Sequence, residues 1–572
     1  MVDNSRMTRL SSLLRRRGIV LPSFGIYGGV SGLIDYGPVG ASIKRRVIDC
    51  WLKHWSILPN VVEVDSPTIT PESVLVASGH VGEFNDKMSE CASCGGAYRS
   101  DHLLSDVHES PDTLGIEELD QIISQSGVNC PSCGSTHWKD TRPMNLMFQT
   151  NIGAMGSSRA AYMRPETAQG MFMQYPSLYR HFRQKLPFGA MQTGKGYRNE
   201  ISPRQGMIRL REFNMAELEY FIDPKDPPAT NLGKWDDRVC IIPDPEGPKP
   251  GKRTMTFEEA FEAGIVKHPT VAWFLAMTLE FLVNIGIDSD QVRFRQHEGS
   301  EMAHYASDCW DCELNGEHGW VEVVGIANRT CHDLESHEEH SGSNMLRGWR
   351  QYESPVSEKR EVLSPIGSVV GPHFKEKAAL VSKALSELFE LPEELPFHLT
   401  LSDESDVEIT EEMVSRNTQE TVVNGEYFTP HVIEPAFGID RIIWHVLDHN
   451  FRELEKEDES YTILTLNHSV APYDVAILPL FDKQEMVGIA REISNNIRSV
   501  TGIIGVLDTS RSIGRRYARA DEIGIPWAVT VDHQSIEDGS VTIRRRDDQK
   551  QVRSDVDSLI DLLSSRSLST LF

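Results

Sequence analysis

Residues 196–221 read GYRNEISPRQGMIRLREFNMAELEYF, a strand-like stretch that carries arginines and glutamates at regular intervals. Counted from Met207, the odd positions are Met207, Arg209, Arg211, Phe213, Met215, Glu217, Glu219 and Phe221. Alternate side chains of an extended chain share a face, so Arg209, Phe213 and Glu217 are expected on one surface. Arg198 and Glu200 lie two residues apart, just before a turn signal at Pro203 to Gly206. Two antiparallel strands and a loop would therefore present cations, an aromatic ring and carboxylates to one site. Taken alone, the stretch reads more readily as a solvated sheet face with cross-strand ion pairs.

The rest of the chain narrows the choice. Its 572 residues are enough for several domains and a large core. A charged fraction of 25% and a hydrophobic fraction of 39% describe an ordinary soluble protein. The longest apolar run, VAWFLAMTLEFLVNIGI from Val271, carries Glu280 and is short for a membrane span, so a buried helix is expected. Arg15 to Arg17 are not followed by a signal-peptide core, and a cytoplasmic location is the expectation.

The nine cysteines are an odd number spread over a long chain, unlike a secreted disulfide framework. Four form two Cys-x-x-Cys pairs, Cys91/Cys94 and Cys130/Cys133, each followed by glycine. That spacing lets two thiolates from each pair reach one tetrahedral ion, so a structural zinc site is favoured over four reduced spectators. A third pair, Cys309/Cys312, has no matching partner pair.

The formal charge is −27, from 84 acidic and 57 basic residues, of which only 18 are lysine. The total argues mildly against a nucleic-acid partner but leaves room for a local basic patch. Acid excess with little lysine also fits a salt-rich cytoplasm, in which case added KCl should raise stability.

The pattern divides the chain as follows. Residues 1–90 open a core; residues 91–141 form a zinc-knuckle insertion; core resumes over 142–224; 225–290 form an insertion; 291–340 are core; 341–423 insert again; and 424–468 close the core. Within the first part, SIKRRVIDCWLKHW has helical spacing, with Ile43, Val47, Cys50, Trp51 and His54 on one side. From residue 469 to 572 strands and helices alternate: YDVAILPL, KQEMVGIAREISNNIRS, GIIGVLD, SIGRRYARADEIG, PWAVTV. This reads as a separate α/β domain.

Several segments, in order along nearly the whole chain, resemble those of glycyl-tRNA synthetases of the homodimeric archaeal and eukaryotic type. They are IYGGVSGLIDYGPVG, TPESVLVASGHVGEF, RPETAQGMF, RNEISPRQGMIRLREFNMAE, RFRQHEGSEMAHYASDCWD, EPAFGIDR and SIGRRYARADEIG. RNEISPRQGMIRLREFNMAE is similar to the second signature motif of class II aminoacyl-tRNA synthetases and EPAFGIDRIIWHVL to the third. The resemblance implies an α+β fold: an antiparallel catalytic sheet with insertions, and a C-terminal α/β anticodon-binding domain.

It also implies roles. Arg198 would bind the ATP α-phosphate, Arg209 the β,γ-phosphates and Arg441 the γ-phosphate, fixed cations being what an electron-rich phosphoryl transition state needs. Phe213 would stack on adenine, Glu200 would contact the adenine or the tRNA acceptor end, and Glu322 would ligate Mg²⁺. Simpler readings are an Arg198–Glu200 ion pair, core packing for Phe213 and a solvent-facing Glu322. Glu166, Glu217 and Glu434 would surround the ammonium of glycine, and three converging carboxylates should repel one another and raise some pKa values. The family usually has Ser where this chain has Ala436, which keeps the small volume but lacks a hydroxyl. Rejection of larger amino acids would be steric, without an editing domain.

The helix and strand between Gly37 and Pro67 resemble the family's dimer interface, which implies a homodimer; a buried core helix is the plainer reading. In the C-terminal domain Arg511, Arg515 and Arg519 recur every fourth residue, a candidate tRNA-binding stripe, or else a solvated face paired with Asp521 and Glu522. Two rivals stay open: a class II synthetase for another small amino acid, which the three glutamates argue against, and a non-catalytic nucleic-acid-binding relative such as a mitochondrial DNA polymerase accessory subunit.

Overall fold

In the computed structural model residues 196–197 and 212–221 of the charged stretch lie on two adjacent interior strands of a nine-stranded sheet. The structure describes residues 5–572 except 109–110, 155, 202, 204–205, 229, 248, 299–305, 387, 389–390, 393–394, 404, 457–458 and 500–501. Part of the expected turn at Pro203 to Gly206, and the centre of RFRQHEGSEMAHYASDCWD, therefore fall outside the described residues.

The sheet strands are β1 (Val61–Glu63), β2 (Phe188–Tyr197), β3 (Glu212–Ile222), β4 (Val239–Ile242), β5 (Arg253–Met255), β6 (Val292–Gln296), β7 (Asp308–Gly316), β8 (Gly319–Thr330) and β9 (His431–Gly438). Their spatial order is β5-β4-β6-β7-β8-β9-β3-β2-β1. All neighbours are antiparallel except β1/β2 and β4/β6.

The strand in the opening stretch is shorter than its alternation predicts. Gly206–Ile208 form a 3₁₀ turn and β3 starts at Glu212, so Arg209 and Arg211 precede the strand. The reason is local hydrogen bonding. The Arg211 amide donates to the Gly32 carbonyl at 2.8 Å, and its guanidinium donates to the carbonyls of Glu200 and Ser31. Gly32 fits there because its φ is +77° and a Cβ would meet Pro203 at 2.6 Å.

Within β3 the alternation holds and divides two environments. Leu218, Tyr220 and Ile222 enter the main core, against helices α1 (Pro38–Trp55) and, through Phe274, α3 (Pro269–Asn284), with α2 (Ala168–His181) lying between them in sequence. Tyr220 and Trp55 meet Phe274 with ring centroids 5.3 and 5.2 Å apart. Ile43, Val47, Trp51 and Trp55 of α1 are buried, while Cys50 and His54 are half-buried. On the other face Phe221 and Phe188 pack against Phe172 and Tyr175 of α2. The apolar run from Val271 is the buried α3, as its composition predicts. Among the described residues no helix is long and apolar enough to cross a membrane.

Cys309 and Cys312 lie on β7, three residues apart and so on opposite faces, Cys309 half-buried and Cys312 in the core. They cannot close on one ion.

The C-terminal sheet contains β10 (Val475–Pro479), β11 (Gly505–Leu507), β12 (Trp527–Val531), β13 (Ser540–Arg545) and β14 (Gln551–Asp555), ordered β11-β10-β12-β13-β14. The first three are mutually parallel and the last two antiparallel. Every residue of β10 and β12 is buried, the mark of strands covered on both faces. Residues 347–429 form a compact unit of their own. A long hairpin, Gly348–Pro365 with Val414–Phe428, holds a small core that includes Leu363, Val370, Val381, Leu385 and Ile409.

Candidate active site

The sheet bears a cavity of about 270 Å³. Its walls include every residue that the sequence reading assigned to ATP or glycine: Glu166, Arg198, Glu200, Arg209, Phe213, Glu217, Glu322, Glu434 and Arg441. Sequence separations of more than 200 residues collapse because β8, β9 and β3 are adjacent, with Glu217 opposite Ala436 and Ala436 opposite Gly325.

One end is cationic. Arg198 stands between two rings, 5.3 Å from the Phe84 centroid and 5.5 Å from Phe213. Glu200 pairs with Arg209 at 3.6 Å, so the simple Arg198–Glu200 pair is not what forms. Arg441 is in the first turn of the helix α4 (Ile439–His449). Its guanidinium donates to the Ile208 carbonyl at 3.0 Å and to the Glu322 carbonyl at 2.8 Å. The Glu322 carboxylate is half-exposed, 3.2 Å from Arg441. Below them Asp440 is buried and accepts hydrogen bonds from Tyr36 and from the backbone and side-chain amides of Asn214. Burial pushes the Asp440 carboxyl above its ordinary pKa, against those hydrogen bonds.

The other end is acidic. Glu217 accepts from the Thr167 amide at 2.7 Å and from its hydroxyl, just before α2, where helix N–H groups favour an anion. Burial, then the charges of Glu434 and Glu166, push Glu217 up to about 8. Burial also raises Glu434, although Arg329 donates to it at 2.7 Å. Glu166 goes the other way. Burial opposes its ionisation, but His80 at 3.6 Å, Arg329 and a 2.9 Å hydrogen bond from Gln169 outweigh it and hold the carboxyl well below the usual range. The expected mutual repulsion thus falls on Glu217 and Glu434.

Arg329, Asp333, Thr167 and Asp440 escape the sequence reading. Arg329 donates to Asp333 at 2.7 and 2.9 Å and also faces Glu434. Its four-residue spacing to Asp333 was the available signal, and nothing in the sequence placed it beside Glu434.

Comparison with known proteins supplies the family. The chain is 44% identical to a glycine–tRNA ligase of Methanothrix thermoacetophila over 98% of this chain and 96% of that protein. It is 45% identical to one from Methanothermobacter thermautotrophicus, over 98% and 99%, and 43% identical to one from Methanocaldococcus jannaschii, over 98% of each. The chain belongs to the glycine–tRNA ligase family. The anticodon binding domain family also matches residues 474–566. The antiparallel core sheet and the C-terminal α/β sheet are the architecture expected of this class II family.

Two further groups lie outside the cavity. Cys91, Cys94, Cys130 and Cys133 bring one sulfur each within 4.8 Å of one another, with Cys91–Cys133 and Cys94–Cys130 at 3.7 Å. A tetrahedron of Zn–S bonds of about 2.3 Å has edges of about 3.8 Å, so the four thiols fit one metal ion.

In the family's anticodon domain, Arg511, Arg515 and Arg519 do not form the expected helical stripe. Helix Ile513–Glu522 begins after Ser512, and Arg511 precedes it with φ +67°. Arg519 is bound to Asp508 at 2.8 Å. Of the three, Arg515 is the exposed helical cation. The neighbouring Arg516 is buried and donates to the carbonyls of Thr509, Arg511 and Pro479. The 508–511 loop folds back over the helix start, which removes the periodic surface. Asp521 pairs with Arg544, and Glu522 with Arg16 and Arg17, so neither neutralises the stripe.

Proposed function

We propose that this protein activates glycine with ATP and transfers the glycyl group to the 3′ end of tRNA. The observation that carries the reading is the convergence of three arginines and three glutamates on one cavity in a chain of this family. In this reading Glu166, Glu217 and Glu434 hold the ammonium, and the backbone at Gly325 and Ala436 leaves room for an amino acid without a side chain. The glycine carboxylate oxygen attacks the ATP α-phosphate and pyrophosphate leaves; the terminal ribose hydroxyl of tRNA then attacks the glycyl carbonyl, loses its proton, and AMP leaves as the acyl–phosphate bond breaks.

Arg198 meets the charge that grows on the α-phosphate, and Arg209 and Arg441 hold the β,γ-phosphates. Arg441 needs little reorganisation because Ile208 and Glu322 already fix it. Phe213 packs against adenine, with Glu200 beside it. Glu322 is the carboxylate suited to Mg²⁺, a hard ion that prefers oxygen and would neutralise phosphate charge. Catalysis is positioning and electrostatics, without a covalent protein intermediate.

The four-cysteine group holds a structural Zn²⁺. Arg511, Arg515 and Arg519 belong to the tRNA-facing surface of residues 469–572, and the remaining divisions of the chain follow the core and insertions given above. The protein works in the cytoplasm as a homodimer. Exposed Ile26 and Tyr27, 92% and 85% accessible, support an apolar contact for a second copy.

Glycine-dependent exchange of pyrophosphate into ATP, with alanine and serine alongside, tests the activation step. Exchange with glycine alone is the expected result. No exchange with any amino acid, at low and high KCl, would leave a non-catalytic nucleic-acid-binding relative.

A further inference from the structure

Behind the acidic end of the cavity lies a fourth glutamate that does not line it. Glu219 shares a face of β3 with Glu217, and one register step along the neighbouring strand brings it alongside Glu434. One oxygen each of Glu217, Glu219 and Glu434 lie within 4.8 Å of one another. Glu219 is wholly buried, and among the described residues neither of its carboxyl oxygens has a hydrogen-bond partner.

The charges around it do not balance if every acid is ionised. Glu217 faces it from its own strand, Glu434 from β9, Arg329 from β8 and Asp333 from the helix that follows β8. Glu166 and His80 lie further out, paired with each other, and His337 meets the site through Gln169. Arg329 is already bound to both Glu434 and Asp333. An ionised Glu219 would therefore be an unpaired charge in the core, a strongly unfavourable state. Burial, and then Glu434, push its carboxyl well above the ordinary range.

We propose that Glu219 is a positioning residue that keeps a proton within the empty pocket, and that the ammonium group of glycine displaces this proton when it binds. The exchange balances: a cation enters the carboxylate cluster, and one H⁺ passes from Glu219 to solvent. The glycine ammonium itself stays protonated. Glu219 touches no substrate atom; it sets how much negative charge Glu217 and Glu434 present. The inference rests on the glycine-activation reading above.

The test uses the full-length protein and the variant Glu219→Gln, which keeps the shape and a neutral hydrogen-bond donor. Calorimetry of glycine binding at pH 7 in buffers of different ionisation enthalpy should give release of about one proton more per glycine for the wild type than for Glu219→Gln, in which only Glu217 releases one. In pyrophosphate exchange, the glycine KM of the variant should keep only the fall with rising pH that Glu217 carries, up to about tenfold per unit below pH 8, where that of the wild type falls more steeply. Equal proton release by both proteins, or a loss of about 100-fold in glycine binding with the pH profile unchanged, would overturn the proposal. If the variant fails to fold, absence of proton release from the wild type overturns it alone. Exchange that is present but not linked to protons removes only this inference; absence of glycine-dependent exchange removes the functional reading as well.

Discussion

Arg441 is bound to Glu322 twice, donating to its carbonyl at 2.8 Å and to its carboxylate at 3.2 Å. The two residues are 119 positions apart, one at the start of a helix and one on a neighbouring strand. A cation fixed in this way is pre-organised for phosphate, and its acidic partner remains half-exposed and open to a metal ion. Arg441→Ala should lower kcat for pyrophosphate exchange about 10²- to 10³-fold, with circular dichroism and thermal midpoint nearly unchanged. Wild-type activity in the variant would rule out the phosphate role.

Acidity at the ammonium end gives a signed pH dependence. The Glu217 carboxyl is pushed up to about 8, so in the empty protein it is neutral below that pH and ionised above it. An ammonium binds the ionised form. The glycine KM should therefore rise as pH falls below about 8, by up to about tenfold per unit, and level off above it. Glu217→Gln should raise KM about 100-fold or more at pH 8, since it removes one carboxylate from a buried charge contact. Steady-state exchange across pH 6 to 9 measures both effects, and a flat wild-type profile would contradict the assignment.

Gly325 provides a steric test of amino-acid choice. It lines the cavity, and among the described residues a Cβ placed there would meet nothing within 4 Å, so the added methyl projects into the cavity. Gly325→Ala should fold normally and lose glycine-dependent exchange at least about tenfold. Ala436→Ser, across the strand pair from Glu217, should fold equally well and lower the glycine KM by supplying a hydroxyl donor. Amino-acid saturation curves distinguish the two.

Metal content should be one zinc per chain, measured on the purified protein by mass spectrometry. Cys130→Ser should abolish it and unfold the segment between residues 85 and 145, read as faster proteolysis there. Cys309→Ser should leave the zinc count at one, because Cys309 and Cys312 face opposite sides of β7.

The anticodon-domain arginines should separate by burial. Arg515→Ala should raise KM for tRNA in aminoacylation and leave pyrophosphate exchange untouched, since Arg515 is exposed on its helix. Arg516→Ala strips donors from the carbonyls of Thr509 and Arg511 and should instead lower stability by about 2–4 kcal/mol, seen as a reduced denaturation midpoint.

Much of this protein was determined by local pattern. The period-two face of Phe213, Met215, Glu217 and Phe221, the helical spacing of Ile43, Val47 and Trp51, and the paired Cys-x-x-Cys knuckles each reflect geometry within a few residues, so the sequence alone carried them. The resemblance along the chain then identified the cavity residues, and all of them meet. What the tertiary structure decided depends on partners distant in sequence. The Gly32 carbonyl takes the Arg211 amide and delays the strand to Glu212. The 508–511 loop captures Arg516 and Arg519 and removes the basic stripe. Arg329 meets Glu434, and Glu219 lies behind the acidic end of the cavity, only because β3, β9 and β8 lie side by side, where burial shifts the ionisation of otherwise ordinary glutamates.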